Sequence, residues 1–386
     1  MTTAQNIQHW ITLTRRKRTV LRRNLTGWYH AEARDLPWRR TRDPYRIWLS
    51  EILLQQTRVE AARSYYERFL ESFPDVETLA AAPQDKVLKR WEGAGYYARA
   101  RNLHGAAKLI VRERGGLLPR SAEAWRKLPG VGRYTAGAVA SIAFDEVTPV
   151  VDGNVKRVLA RIFNISERID APAVTGVLWE IAALLVPKKE PGTFNQALME
   201  LGALVCLPRS PRCEACPVRR HCEAYSIGDP GSLPVRGKKR SVPHKEVVAG
   251  LIEKGDRYLL AKRPARGMLA GLWELPGGAL VAGESHEAGL RRIVRDEIGM
   301  DIEVGSHIST VSHGYTHFTI RLHLYRCRYL AGEVRRSHYP ALRWITADAF
   351  ARYALPGADR KALLSLFPSV DGNKDKSGKR GSALDT

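Results

Sequence analysis

Cysteine is scarce in this chain, five among 386 residues, and that scarcity, with the length, excludes a small secreted scaffold held by disulfides. Long apolar runs are missing too. No window approaches the roughly 18 uninterrupted apolar residues of a membrane span, and the N-terminal region lacks the apolar stretch of a secretory signal. The expectation is a soluble cytoplasmic protein with no membrane partner. Acidic residues are the third shortage. Asp and Glu number 40 against 62 Lys and Arg, a net charge of +22, which is the electrostatic footprint of a chain that meets a polyanion. Nucleic acid is the first partner to test, although charge alone does not separate DNA from RNA or anionic lipid.

What is present points to two or three globular units, given the length and an apolar share of 44%. Residues 1–31 hold basic side chains and no acid, with Arg15, Arg16, Lys17 and Arg18 in a run. We read this as a basic arm or first helix, with an organellar transit segment as the lesser alternative. From Trp28 to Cys222 apolar residues recur in threes and fours, as at Ile47 and Leu54, then Leu79, Val87, Leu88 and Trp91, which predicts an all-α domain over 1–225. Gly, Pro and basic residues mark 226–243 as a linker. Beyond it, Val247 to Ile252, Tyr258 to Ala261 and Ile320 to Tyr325 read as strands, with a helix near Ser285 to Ile298. An α+β domain over 244–367 follows, then a disordered tail over 368–386.

Two local patterns carry chemistry. Leu128-Pro129-Gly130-Val131-Gly132 lies between helical stretches Ser121 to Lys127 and Tyr134 to Phe144, a helix-hairpin-helix. Its glycines let backbone approach a phosphate, and the amides opening the next helix form an anion site beside Arg126, Lys127 and Arg133. The plainer alternative is a turn between two packed helices. The clustered cysteines, Cys206, Cys213, Cys216 and Cys222, follow a 6-2-5 spacing unlike paired zinc ribbons, so one metal cluster is favoured and zinc is the alternative.

Two carboxyls stand out on elementary grounds. On a helix, Glu51 shares its face with Ile47, Trp48 and Leu54, so it loses solvation, its pKa rises, and it becomes suited to general acid work. An isolated helical glutamate is otherwise a solvated surface group. Asp152 precedes the stripe Val155, Val158, Leu159 and Ile162, which predicts an N-cap that the helix dipole keeps ionised.

Three further stretches, Asp35-Leu36-Pro37-Trp38-Arg39, Trp48-Leu49-Ser50-Glu51-Ile52-Leu53-Leu54-Gln55-Gln56-Thr57 and Val151-Asp152-Gly153-Asn154-Val155-Lys156-Arg157, stand in order ahead of the cysteines. With the hairpin and the 6-2-5 spacing, the chain resembles the adenine DNA glycosylases of the MutY type, within the endonuclease III superfamily, from about Trp28 to Phe367. The resemblance implies a 4Fe-4S cluster on the four cysteines, with a structural and DNA-positioning role. It implies that Glu51 protonates the departing adenine and Asp152 stabilises the oxocarbenium sugar, with Tyr134 and Asn154 ordering the nucleophile and Asp152. Arg34, Leu36, Trp38, Arg39 and Glu200 would line the adenine pocket. Gln55 and Tyr96 would enter the base stack, and Leu128, Gly130, Val131, Gly132 and Arg133 would meet DNA. Taken alone, Trp38 and Tyr96 read as core aromatics. Endonuclease III-type lyases carry a lysine where this chain has Tyr134, so a monofunctional enzyme is expected.

The C-terminal half resembles a Nudix domain through Trp273-Glu274-Leu275-Pro276-Gly277-Gly278, with Glu284, Arg292, Asp296 and Glu297 further on. Ile293 stands where hydrolases keep a glutamate, so the magnesium-gathering set is incomplete and pyrophosphate hydrolysis is not expected. The resemblance implies a lesion reader instead. Ser312 matches the serine that contacts 8-oxoguanine, His313 follows it, and Val311 replaces the family's phenylalanine. The implied fold is an all-α helix-hairpin-helix glycosylase domain with a cluster loop, joined to an α+β Nudix-like domain. The implied partner is duplex DNA with adenine opposite 8-oxoguanine or guanine, met by a monomer at the nucleoid. The rivals are a damage-binding protein without catalysis and a nucleotide pyrophosphatase.

Overall fold

A computed structural model describes residues 13–237, 242–332 and 338–368. The tail expected to be disordered, from 369 onward, and the basic stretch 238–241 of the linker lie outside the described residues. Contacts divide the chain into two compact units, one of residues 1–81 and 102–239, the other of 82–101 and 240–386. The stretch 82–101, which sequence leaves within the first domain, therefore packs with the second.

The first unit is helical throughout its described residues. Helix α1 spans Arg15–Glu32, α2 Pro44–Leu54, α3 Val59–Ser72 and α4 Val76–Ala81. The short α5, Gln84–Arg90, belongs to the second unit, and α6, Ala98–Arg114, crosses the division. Next come α7, Ala122–Trp125, α8, Arg133–Phe144, α9, Gly153–Ile162, α10, Pro172–Leu185, α11, Pro191–Leu204, and α12, Glu223–Ile227. Local chemistry explains their starts. Asp43 accepts from the Tyr45 and Arg46 amides ahead of α2, Asp152 accepts from the Val155 amide ahead of α9, and proline opens α2, α10 and α11. The core gathers Leu21 and Leu25 of α1, Val155, Val158 and Leu159 of α9, and Phe194, Leu198 and Leu201 of α11. A Cβ on Gly202 would come within 2.6 Å of the Asn154 Cβ. Glycine there lets α11 press against the start of α9, where Asp152 sits.

The linker expected over 226–243 begins packed rather than free. Leu233 is buried, its carbonyl accepts from Arg161 Nε at 2.9 Å, and the Val235 carbonyl accepts from the Ile169 amide.

The second unit is built on a mixed sheet: β1 His244–Lys254, β2 Arg257–Lys262, β3 Trp273–Glu274, β4 Gly277–Ala279, β5 Asp301–Gly314, β6 Thr319–Ala331 and β7 Ala341–Ile345. The order is β3-β2-β1-β6-β5, with β4 on β1 and β7 on β2, and only the β1–β6 pairing among these is parallel. Helix α13, His286–Ile298, covers one face through Leu290, Val294 and Ile298, and α14, Gly357–Leu363, covers the other through Ala358, Ala362 and Leu363. Cys327 is buried in the α13 layer. Among the described residues no helix is long and apolar enough to cross a membrane.

Candidate active site

A cavity of about 630 Å³ opens in the first unit where the 34–39 segment, the C-terminal end of α2, and the starts of α8 and α9 meet α11. Glu51 and Asp152 both line it, with Tyr134, Asn154, Arg34, Leu36, Trp38, Arg39, Gln55 and Glu200. The nine residues expected at the catalytic centre and adenine pocket come from five separate stretches of the chain, 34–39, 51, 134, 152–154 and 200, yet all nine line this one cavity.

Glu51 is 5% exposed. Burial pushes its carboxyl up to about 7; the Asp152 charge adds to this, and a bond donated by the Tyr134 hydroxyl at 2.6 Å opposes it. The same hydroxyl lies 3.2 Å from Met199 Sδ. Tyr134 thus serves Glu51, while Asn154 Nδ2 donates to Asp152 Oδ2 at 3.1 Å. Asp152 is the cap that the sequence led us to expect, with a shift it did not foresee. Its Oδ1 caps α9 at 2.7 Å from the Val155 amide, but burial outweighs that cap and the Asn154 bond, so its pKa moves up rather than down.

Glu200 is held in the opposite state. Burial alone would raise it, but Arg34 and Arg39 each donate twice, at 2.7 to 2.9 Å, and together hold the carboxyl at about 2. This ionised clamp fixes the 34–39 segment against α11. Trp38 is buried edge-on to Tyr66.

The hairpin splits the expected DNA-binding residues. Leu128 and Val131 are buried, so their side chains face the core, whereas Gly130, Gly132 and Arg133 are exposed. The Arg133 guanidinium lies 4.0 Å from the Trp179 ring. Gln55 caps α2 and donates to Thr135 Oγ1 at 3.2 Å. Tyr96 lies in the other unit, 46% exposed and in left-handed backbone, its hydroxyl accepting from Thr316 at 3.0 Å. Ser312 is exposed on β5 opposite Arg321, and His313 is half-buried against Tyr315. Val311 packs on the α14 layer. Ile293 is buried on the core face of α13, and Glu284 is paired with Arg292.

The four cysteines line one small cavity with Arg161 and Val158. Burial raises the thiols of Cys213, Cys216 and Cys222, the second to about 12. Among the described residues no group of three or more His, Cys, Asp or Glu is arranged to hold a metal ion; the thiols surround a space instead. Sequence reasoning assigned no role to Arg157 or Arg161. Arg157 donates to Asn154 Oδ1, the Gly202 carbonyl and the Cys206 carbonyl, and Arg161 donates to Cys206 Sγ at 3.3 Å. A hydrogen-bonded path therefore runs from Asp152 to the cysteine loop. The signal was available: two arginines one helical turn apart on the buried stripe of α9.

Residues 49–183 match the HhH-GPD superfamily base excision DNA repair protein family, and 247–365 match the NUDIX domain. The class is thus a base-excision repair protein with a helix-hairpin-helix domain and an appended Nudix domain. An adenine DNA glycosylase of Rattus norvegicus is 36% identical, covering 89% of this chain and 77% of that protein. One of Homo sapiens is 35% identical over 89% of this chain and 73% of the relative. A solved thermostable thymine-DNA glycosylase is 33% identical over 55% of this chain and 98% of its own, with a TM-score of 0.49. The chain belongs to the adenine DNA glycosylase family.

Proposed function

We propose that this chain removes adenine paired with 8-oxoguanine or guanine from duplex DNA, as a monofunctional glycosylase. The observation that carries the reading is Glu51, a carboxyl kept protonated near neutral pH by burial, facing a cavity it shares with Asp152. The C1′–N bond breaks with its electron pair on the base, and the Glu51 proton neutralises the leaving adenine. Asp152 faces the oxocarbenium sugar until water adds at C1′, its proton passing to the Glu51 carboxylate and restoring the acid. No lysine lines the cavity among the described residues, which supports hydrolysis over Schiff-base chemistry.

Four thiols set around a space, rather than drawn to a point, suit a cluster larger than one ion, and we assign a 4Fe-4S group to Cys206, Cys213, Cys216 and Cys222. When bound it would supply structural order and DNA positioning. We assign lesion reading to Ser312, whose hydroxyl can accept from the N7–H that only the oxidised base has. The +22 charge favours residence with nucleic acid, and we place the chain at the nucleoid in the cytoplasm as a monomer; fractionation free of DNA would count against this.

The test is single-turnover release of adenine from duplexes with 8-oxoguanine, guanine or thymine opposite. Release ordered in that sequence, with no borohydride-trapped adduct, is expected; equal release from all three ends the proposal. Ser312→Ala should narrow the preference for the oxidised partner by ~1 to 3 kcal/mol, as for a lost buried hydrogen bond. Unchanged discrimination removes Ser312 from lesion reading.

A further inference from the structure

The second unit holds a cavity of about 290 Å³ that no step of adenine release uses. Its wall includes Asp85 of α5, Trp273 of β3, Arg343 of β7, and Arg352 and Tyr353 beyond it. Two guanidinium groups there have little to bind. Arg343 reaches the Tyr353 hydroxyl at 3.4 Å and lies 5.3 Å from the Trp273 ring. Arg352 is exposed, its carboxylate neighbour Asp348 being 3.9 Å away. Asp85 attracts Arg343 but is shared, because both its oxygens accept from Lys262 Nζ, at 2.7 and 2.9 Å. The charges lining the cavity, Arg343 and Arg352 against Asp85, together with the ion-pair partners beside it, Lys262 and Asp348, leave a positive excess of one.

The floor is also fixed in advance. Trp273 is 2% exposed and meets Tyr353 edge-on at 5.2 Å between ring centres. A guanidinium laid on a rigid ring, with most of its five N–H donors open, is preorganised to grip a phosphate by two oxygens. A net charge of +22 favours a polyanion such as duplex DNA as the source of that phosphate.

We propose that this cavity binds a backbone phosphate of duplex DNA, as an anchoring site separate from the residues that release the base. It rests on the reading that the chain acts on duplex DNA. The contact carries no sequence information and adds to affinity for any duplex.

The experiment measures how the affinity of the full chain for an undamaged duplex falls with salt. Each phosphate neutralised contributes about 0.9 to the slope of log K against log salt. Replacing both Arg343→Gln and Arg352→Gln should reduce that slope by about 1 and leave melting temperature and adenine release at saturating enzyme unchanged. Arg343→Lys with Arg352→Lys, which keeps the charges, should restore most of the slope. An unchanged slope in the glutamine variant overturns the proposal. Inorganic phosphate and guanosine monophosphate are titrated in parallel; if they bind at these arginines while the duplex slope stays put, the cavity takes a free anion and the DNA site falls. Because the slope is read on undamaged DNA, its result is independent of whether adenine is the base released.

Discussion

At the scale of single residues, Glu51 is costly to the fold and useful for that reason. Its carboxyl titrates at about 7 in the folded chain against an ordinary value of 4.5. Below the lower value both folded and unfolded chains hold the proton and nothing is lost. As pH rises the unfolded chain ionises first, so stability falls, and above pH 7 the penalty is complete at ~3 kcal/mol. Glu51→Gln should therefore melt higher than the parent at pH 8 and equal to it near pH 4.5, while base release drops at least ~10²-fold and duplex binding persists. Undiminished release would eliminate Glu51 as the acid. Tyr134 adds a second test, because its hydroxyl bond favours the charged carboxylate. Tyr134→Phe should move the descending limb of the rate profile to higher pH; a limb that stays or moves down would show that Tyr134 does not tune Glu51. Sequence made Glu51 legible through Ile47 and Trp48 on its face. The upward shift of Asp152 was not legible, because it comes from burial in a cavity whose other walls, α11 and the 34–39 segment among them, lie far off in the chain.

At the scale of elements, the hairpin between α7 and α8 shows how differently two glycines in one motif are constrained. Gly130 has φ +74, and a Cβ there would come 2.5 Å from the Asn102 Cβ, whereas Gly132 has an ordinary φ of −84 and open space around it. Gly130→Ala should cost roughly 1 to 3 kcal/mol in melting experiments and weaken duplex affinity, since the turn must shift. Gly132→Ala, at the N-cap of α8 with ordinary φ and open space, should cost less, about 0.5 to 1 kcal/mol. Equal losses at the two positions would refute this account. Helices were legible because their signals are local: Asp152 caps α9 as the spacing predicts, and the helix expected near Ser285 to Ile298 is α13, whose cap Ser285 the structure adds. Strands fared less well. Alternation revealed parts of β1, β2 and β6, but β5 breaks its own pattern through register shifts near His307, and β3 and β4 are two and three residues long.

At the scale of the whole molecule, the division of the chain is the feature least available to sequence. Nothing in the composition of 82–101 separates it from the helices on either side, and its partners lie some 260 residues downstream. Lys89 donates to the Tyr353 carbonyl at 3.1 Å, Glu92 accepts from the Leu355 amide at 3.2 Å, and the Tyr97 hydroxyl donates to the Leu355 carbonyl at 3.3 Å. Arg101 likewise donates to the Ala270 carbonyl. A segment inserted in the first unit's sequence but satisfied by the second unit's backbone should lose its order when that backbone is removed. A chain ending at 237 should therefore keep the helical core around α9 and α11 protected from hydrogen exchange, while the amides of α5 and the 91–97 turn exchange at rates approaching those of an unstructured peptide. Protection of α5 equal to that in the full chain would mean that the first unit alone holds 82–101, and the division drawn here would have to be abandoned.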